Sequence, residues 1–220
     1  MNAATITMDG LTTPETKARF APAVRTRKVG AVSDDEDAQL MLAYARGEMR
    51  AFETLYSRHR GALYRYLTRQ ARDGEVANDL FQEVWSRVIV NRARYEPRAK
   101  FRTFLFTLAH NCFIDHCRRS KSRPGGMGID DADAADLLPA SVESQPDSAL
   151  ARDEATARYR AALATLPAEQ RDVYLLHEES DLSLEEIARV TGVGAETAKS
   201  RLRYAVNKLK AALSVAENLT

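Results

Sequence analysis

The side chains best suited to chemistry lie near the end of the chain, on a basic helix that follows a tight turn. Ser183 with Glu186 three residues later has the pattern of a capping box, and Gly192 suits a left-handed helix C-cap. The next helix repeats its apolar residues at intervals of four and three, which places them on one narrow stripe. These are Ala198, Leu202, Ala205 and Leu209. A hydroxyl, cations and an aromatic ring lie on or beside the opposite face, where they could contact bases and phosphates in a DNA major groove.

This pattern is typical of a helix-turn-helix. A plain helical hairpin with a solvated basic face is the alternative for this segment.

A second polar face lies on the helix predicted for residues 101–120. Thr107, Asn111 and Arg118 share one side of that helix with Ile114. The core stripe comprises Phe101, Leu105, Leu108, Ala109 and Cys112. A hydroxyl, an amide and a guanidinium beneath aromatic residues suit single-stranded nucleic acid, since rings stack on bases while polar groups contact edges and phosphates. A core helix with an incidental polar side is the alternative.

The loop before that helix adds an exposed aromatic residue, Tyr95, and charged groups up to Lys100. Such a loop could accept an unstacked base. Extruding a base costs a few kcal/mol, and contacts with the loop would have to offset that free energy.

The helix predicted for residues 75–93 separates an apolar face from an acidic one. Its apolar residues are Leu80, Phe81, Val84, Trp85 and Val88, and its outer residues are Asp79, Gln82, Glu83 and Ser86. A carboxylate-rich outer face favours protein docking over DNA binding. An ordinary solvated helix surface is the alternative.

The net charge of +1 conceals strong segregation along the chain. Residues 40–123 hold 17 basic and eight acidic residues, residues 124–149 hold six acidic and no basic ones, and residues 195–210 hold five basic and one acidic. Two basic modules joined by an acidic segment are typical of a polyanion-binding protein.

Metal binding and catalysis find little support in the sequence. Cys112 and His116 share one side of their predicted helix, while His110 and Cys117 point away, so one helix cannot bring the four to a single ion. No catalytic constellation or phosphate-binding loop is evident, and we predict neither enzymatic activity, a cofactor nor a metal. Two cysteines in one helix fit a reducing compartment, and the absence of a signal or transmembrane pattern predicts a cytoplasmic protein.

The overall pattern predicts an all-α protein of two helical domains joined by a flexible acidic linker. Helices are expected near residues 38–46, 49–71, 75–93, 101–120, 147–164, 167–179, 183–190 and 195–213. The predicted domains are a first lobe at 38–122 and a second lobe at 149–213. A disordered tail at 1–37, the linker at 123–148 and a short tail at 214–220 complete the chain.

Three of these segments together resemble one protein family. Asp79-Leu80-x-Gln82-Glu83-x-Trp85 resembles the polymerase-binding motif of bacterial RNA polymerase sigma factors of the sigma-70 family, extracytoplasmic-function (ECF) group. Phe101 to Arg119 resembles that family's promoter-melting and minus-ten helix. The segments around Leu166-Pro167, Leu184 to Ala188 and Thr197 to Leu202 resemble its minus-thirty-five reader.

The resemblance implies that the first lobe is sigma region 2, the second lobe is sigma region 4, and the linker threads toward the polymerase active-site channel. Residues implied to bind core polymerase are Asp79, Gln82, Glu83 and Ser86. Those implied to bind minus-ten DNA are Tyr95, Arg98, Lys100, Arg102, Phe104, Thr107, Asn111 and Arg118. Those implied to bind minus-thirty-five DNA are Thr197, Lys199, Ser200, Arg201, Arg203 and Tyr204.

Core RNA polymerase and promoter DNA are the expected partners, and an anti-sigma factor is left open as another. The competing hypothesis is a two-domain helix-turn-helix regulator that binds operator DNA. That hypothesis explains the second lobe but not the motifs of the first.

Overall fold

Eight α-helices and one 3-10 turn form the part of the protein that the computed structural model describes, residues 35–121 and 146–217, which contains no strand. The helices are α1 (Glu36–Ala45), α2 (Met49–Ala71), α3 (Gly74–Val90), α4 (Phe101–Lys121), α5 (Pro146–Ala164), α6 (Ala168–Ser180), α7 (Leu184–Thr191) and α8 (Ala195–Glu217). The 3-10 turn spans Arg92–Arg94. Every helix begins within two residues of its predicted start, which confirms the all-helical prediction.

Side-chain caps explain where several helices begin and end. The Ser183 hydroxyl accepts from the backbone N–H of Glu186, whose carboxylate accepts from the N–H of Ser183, so the predicted capping box of α7 is confirmed. Gly192 ends α7 with φ +70°, as predicted. The Asp73 carboxylate caps α3 by accepting from the backbone N–H groups of Glu75 and Val76. Pro167 is the N-cap of α6 rather than its first helical residue, one position from the prediction.

The first lobe, α1 to α4, is built around buried aromatic and aliphatic side chains. The Trp85 ring lies 5.7 Å from Phe52 and 5.0 Å from Tyr56, joining α3 to α2. On α4, the predicted core stripe is buried throughout, and Phe106 and Phe113 are buried as well. The helix that carries the candidate minus-ten residues is therefore packed against neighbouring helices on several sides.

The second lobe, α5 to α8, buries the predicted stripe of α8 against α6 and α7. Ala198, Ala205 and Leu209 are buried and Leu202 is half-buried. The turn between α7 and α8 directs the opposite face of α8 outward, which is the arrangement of a helix-turn-helix.

The two lobes also pack against each other, with α6 on α2 and α7 on α4. The sequence analysis did not predict this contact. Of the predicted N-terminal tail, residues 1–34 lie outside the described residues, and α1 begins at Glu36 within the segment predicted to be disordered. Of the predicted linker, residues 123–145 likewise lie outside the described residues. None of the described helices combines the length and apolar character needed to cross a membrane.

Candidate nucleic-acid interface

The start of α4 is fixed by a residue that the sequence analysis did not single out. One carboxylate oxygen of Asp35 accepts from the backbone N–H of Phe101 at 2.7 Å, while the other accepts from the N–H of Asp37. Asp35 therefore caps α1 and also satisfies a free donor at the first turn of α4. An aspartate before a helical pattern is a recognisable N-cap signal. The hydrogen bond from Phe101 to Asp35, however, joins residues 66 positions apart, and no pattern of neighbouring residues predicts it.

The aromatic residue of the preceding loop is less exposed than expected. Tyr95 is half-buried, with its ring 5.2 Å from Phe104 and 6.3 Å from Phe101 in edge-to-face arrangements. Its hydroxyl is buried and has no hydrogen-bond partner among the described residues. Burial, together with the nearby carboxylates of Asp35 and Asp37, raises the pKa of Tyr95 well above its usual range, so the phenol is neutral. The rings of Tyr95 and Phe104 thus form one supported aromatic surface.

The remaining candidate minus-ten residues differ in what they contact. Asn111 and Arg118 are exposed, about three and about five turns after the start of α4. The Thr107 hydroxyl donates to the backbone carbonyl of Thr103 at 2.7 Å. The Arg98 guanidinium, in the loop, donates to Glu96 at 2.8 Å. Among these candidates, Asn111 is an exposed amide on α4.

Two cations at the start of α4 are engaged by carboxylates of the second lobe. The Lys100 ammonium lies 3.3 Å from Glu186, and the Arg102 guanidinium lies 3.0 Å from Asp181. Glu186 also accepts from the Thr103 hydroxyl at 3.3 Å. Burial acts to raise the pKa of Glu186, but the Ser183 N–H and the Lys100 ammonium hold that pKa below its usual value. Glu186 therefore faces α4 as an anion.

The outer face of α3 is open, as the polymerase-binding prediction requires. Asp79, Gln82 and Ser86 are exposed, whereas Glu83 is half-buried. The Glu83 carboxylate accepts from Arg87 one turn along the helix and lies 3.7 Å from Arg119 of α4. On the inner face, Leu80, Val84, Trp85 and Val88 are buried and Phe81 is half-buried. The polar face thus combines free polar groups with one carboxylate already held by arginines.

The outward face of α8 carries the candidate minus-thirty-five residues. Thr197, Lys199, Arg203 and Tyr204 are exposed, and Ser200 and Arg201 are half-buried. The Arg203 guanidinium lies 5.2 Å from the centre of the Tyr204 ring, and the Arg201 guanidinium is paired with Glu169 of α6. Arg203 is therefore exposed beside an aromatic ring, while Arg201 is held by a carboxylate of α6.

Metal binding finds no support in the described residues, where no three histidine, cysteine, aspartate or glutamate side chains converge on one point. His110 instead lies 2.9 Å from Asp172 of α6. Cys112 is fully buried, and burial raises the pKa of its thiol to about 12.

Comparison with known proteins identifies both lobes. The model of sigma-70 region 2 matches residues 55–123, and that of sigma-70 region 4 matches residues 156–209. The RNA polymerase sigma factor CarQ of Myxococcus xanthus is 31% identical over 172 residues, which cover 78% of this chain and 94% of CarQ. The ECF RNA polymerase sigma factor SigL of Mycobacterium tuberculosis is 32% identical over 171 residues, covering 77% of this chain and 92% of SigL.

A solved structure shares the fold. The sigma factor RpoE of Bartonella quintana, crystallised in complex with the anti-sigma factor NepR, matches with a TM-score of 0.60 and 23% identity, covering 74% of this chain and 97% of RpoE. The chain belongs to the ECF group of the sigma-70 family. Members of this family direct RNA polymerase to promoters and act by binding rather than by catalysis. This membership favours the sigma factor over the operator-binding regulator.

Proposed function

We propose that this ECF sigma factor uses three separate surfaces, one for core polymerase and two for promoter DNA. The supporting observation is that three helices each bury an apolar stripe and present a distinct polar face, acidic on α3 and basic on α8. On this proposal, residues 38–122 act as region 2, residues 149–213 act as region 4, and residues 123–148 link them toward the polymerase active-site channel.

The polymerase surface consists of Asp79, Gln82, Glu83 and Ser86. Exposed carboxylate, amide and hydroxyl groups suit a partner surface that is basic and supplies hydrogen-bond donors. Asp79 supplies the freest charge, because Glu83 is already paired with Arg87.

The minus-ten surface would promote promoter opening by holding unstacked bases of the non-template strand. The edge of the Tyr95–Phe104 aromatic surface supports stacking, and Asn111 supplies donors and acceptors for a base edge. Positive charge for contacts with phosphates would come from Arg98, Lys100, Arg102 and Arg118. Thr107 of α4 belongs to the same surface.

The minus-thirty-five surface would enter the major groove of duplex DNA. Lys199, Ser200, Arg203 and Tyr204 face the bases, while Thr197 and Arg201 lie nearer the flanking phosphates. The protein would act in the cytoplasm, where its polymerase and promoters are. An anti-sigma factor is a further proposed partner, because the similar RpoE was solved bound to one.

Run-off transcription with purified core RNA polymerase on fragmented genomic DNA tests this function. Discrete transcripts that require this chain, and that disappear when Asp79 is replaced by Lys, would support it. Glu154→Lys is the matched control, since Glu154 is an exposed carboxylate of α5 outside all three surfaces. If no transcript depended on the chain, the proposed function would be wrong.

A further inference from the structure

Val90 is the most exposed of the large apolar side chains in the part of the chain that the structure describes. It is 77% exposed, compared with 60% for Met49 and 54% for Tyr204. Tyr204 already belongs to the minus-thirty-five surface, and Met49 is the first residue of α2. Val90 is the last residue of α3, the helix of the polymerase surface, and none of the three surfaces includes it.

Val90 lies on the same side of α3 as the polymerase surface. With about 100° per residue, Val90 falls about 20° from Asp79 and about 20° from Glu83, on opposite sides. Ser86, one turn before Val90, is about 40° away, and Gln82 is about 80° away. An apolar side chain therefore continues a row that is otherwise polar.

The end of α3 is held by hydrogen bonds, so the position of Val90 is well defined. The backbone N–H and the side-chain amide of Asn91 both donate to the carbonyl of Arg87, at 3.1 and 2.8 Å. The Arg92 guanidinium donates to the carbonyl of Ile89 at 3.0 Å. These bonds satisfy carbonyls that the last turn of a helix leaves free. Val90 therefore lies exposed on a capped helix end.

An exposed valine in a helix is unfavourable in water. Its β-branched side chain loses rotamer freedom in the helix, and its apolar surface forgoes the free energy of burial. Single exposed apolar residues are nevertheless common on protein surfaces. What distinguishes Val90 is its alignment with four polar groups, because protein interfaces typically surround an apolar contact with polar ones. Its position thus favours an apolar contact with the partner that binds those groups.

The charges beside Val90 indicate which partner fits this side of α3. Asp79 and Glu83 would repel DNA phosphates. A second copy of the chain, in a two-fold contact, would set the same patch against itself, so these carboxylates would face one another or face Val90. Sigma factors bind core RNA polymerase. A polymerase surface with cations for the carboxylates and an apolar side chain for Val90 would satisfy all three residues.

We propose that Val90 is the apolar anchor of the polymerase surface and packs against an apolar side chain of core RNA polymerase, beside the basic groups that meet Asp79 and Glu83. This inference rests on the proposed function of α3. The carboxylates supply an attraction that salt screens, whereas burial of Val90 supplies affinity that salt does not screen. The chain therefore stays bound to polymerase at ionic strengths that weaken the charged contacts.

Val90→Ser tests the proposal, because serine removes the apolar surface and has a helix propensity close to that of valine. Met49→Ser is the matched control, since it makes a similar apolar-to-polar change at an exposed position outside the polymerase surface. Val90→Ile is the conservative variant, which keeps an apolar, β-branched side chain and should retain binding. Circular dichroism and urea unfolding should be the same for the three variants and the wild type.

Fluorescence anisotropy of the N-terminally labelled full chain, titrated with core RNA polymerase, measures the affinity. At about 0.1 M salt, Val90→Ser should bind about tenfold more weakly than the wild type, and Met49→Ser should bind as the wild type does. At about 0.5 M salt, the ratio of the wild-type affinity to that of Val90→Ser should be unchanged. The corresponding ratio for Asp79→Lys should be large at low salt and should shrink as the salt concentration rises.

Equal affinities of Val90→Ser and the wild type, with Asp79→Lys weakened, would overturn the role of Val90 and leave the polymerase surface in place. A loss in Val90→Ser that shrank with salt would overturn the apolar contact. If neither Val90→Ser nor Asp79→Lys weakened binding, the polymerase surface of the proposed function would be wrong, and this inference with it. Sedimentation velocity of the chain alone is the last check: self-association that Val90→Ser abolished would assign Val90 to a contact between copies instead.

Discussion

The carboxylate of Asp35 and the backbone N–H of Phe101 are joined by a 2.7 Å hydrogen bond that ties the first turn of α1 to the first turn of α4. A single side chain thereby serves two helix termini. The orientation of the candidate minus-ten helix depends on it, since the free N–H groups at a helix start must find acceptors.

Asp35→Ala should destabilise the protein more than the loss of an ordinary cap. An N-cap replacement costs typically about 1 kcal/mol, and leaving the Phe101 N–H without its acceptor adds about 1–3 kcal/mol. The measurement is the free energy of unfolding in urea. Asp73→Ala is the control, because Asp73 caps α3 alone. Equal losses for the two variants would show that the Asp35–Phe101 bond contributes nothing.

Reversing charge at Asp79 and Glu83 should abolish binding to core polymerase while the helical content is retained. Both side chains lie on the open face of α3, away from its buried residues. Co-elution with core polymerase measures the binding, and circular dichroism checks the fold. Because Glu83 pairs with Arg87, Asp79→Lys alone should account for most of the loss. Unchanged affinity in the double variant would contradict the assignment of this face.

Asn111→Ala should impair promoter opening more than initial duplex binding. Asn111 is exposed, so its truncation leaves the core of the first lobe intact. Permanganate footprinting of unpaired thymines in the bubble measures opening, and gel retardation of the closed complex measures duplex binding. Full bubble reactivity in the variant would refute the role of Asn111.

Arg203→Ala and Arg201→Ala should have different consequences for DNA recognition. Arg203 is exposed and should read a base, a contact worth about 1–3 kcal/mol of discrimination, so its loss relaxes preference at one or two positions. Arg201 should weaken binding to all sequences and flatten the salt dependence. Competitive selection from a randomised duplex library, at two salt concentrations, distinguishes the two. A change of sequence preference in Arg201→Ala but not in Arg203→Ala would reverse the orientation of α8.

The stability of the protein should fall as the pH drops below about 6.5, and His59 should cause part of that fall. Burial lowers the pKa of His59 from 6.5, although Asp37 at 2.7 Å opposes this. His59 therefore binds a proton more readily in the unfolded chain than in the folded protein. The stability present above pH 6.5 is lost as the pH falls from the pKa of His59 in the unfolded chain toward its lower pKa in the folded protein. Urea unfolding measured at several pH values in this range should show that the free energy of unfolding changes less steeply with pH in His59→Gln than in the wild type. A dependence on pH in His59→Gln equal to that of the wild type would contradict this contribution.

Features that depend on neighbouring residues could be predicted from the sequence. The capping box at Ser183, the left-handed Gly192 and the buried stripe of α8 follow from side chains within one or two turns of each other. The all-helical fold and the three polar faces therefore emerged from periodicity and spacing.

Features that join distant segments could not be predicted in this way. Asp172 and its partner Tyr66 lie 106 residues apart, and a carboxylate on an amphipathic helix ordinarily indicates a solvated face. Tyr95 illustrates the same limit, because its loop context indicated exposure while its packing on Phe101 and Phe104 depends on the tertiary fold. Charge burial between lobes is decided by tertiary contacts that a single sequence does not display.

The ionic contact between α2 and α6 makes the two lobes a matched pair rather than interchangeable modules. A hybrid that joined this first lobe to the second lobe of a relative would need an acidic residue at the position of Glu179 to satisfy Arg65 and Arg69. An apolar residue there would leave two guanidiniums facing a surface without a carboxylate. Exchange of promoter specificity between such proteins, by design or by recombination, is therefore constrained by residues that never contact a promoter.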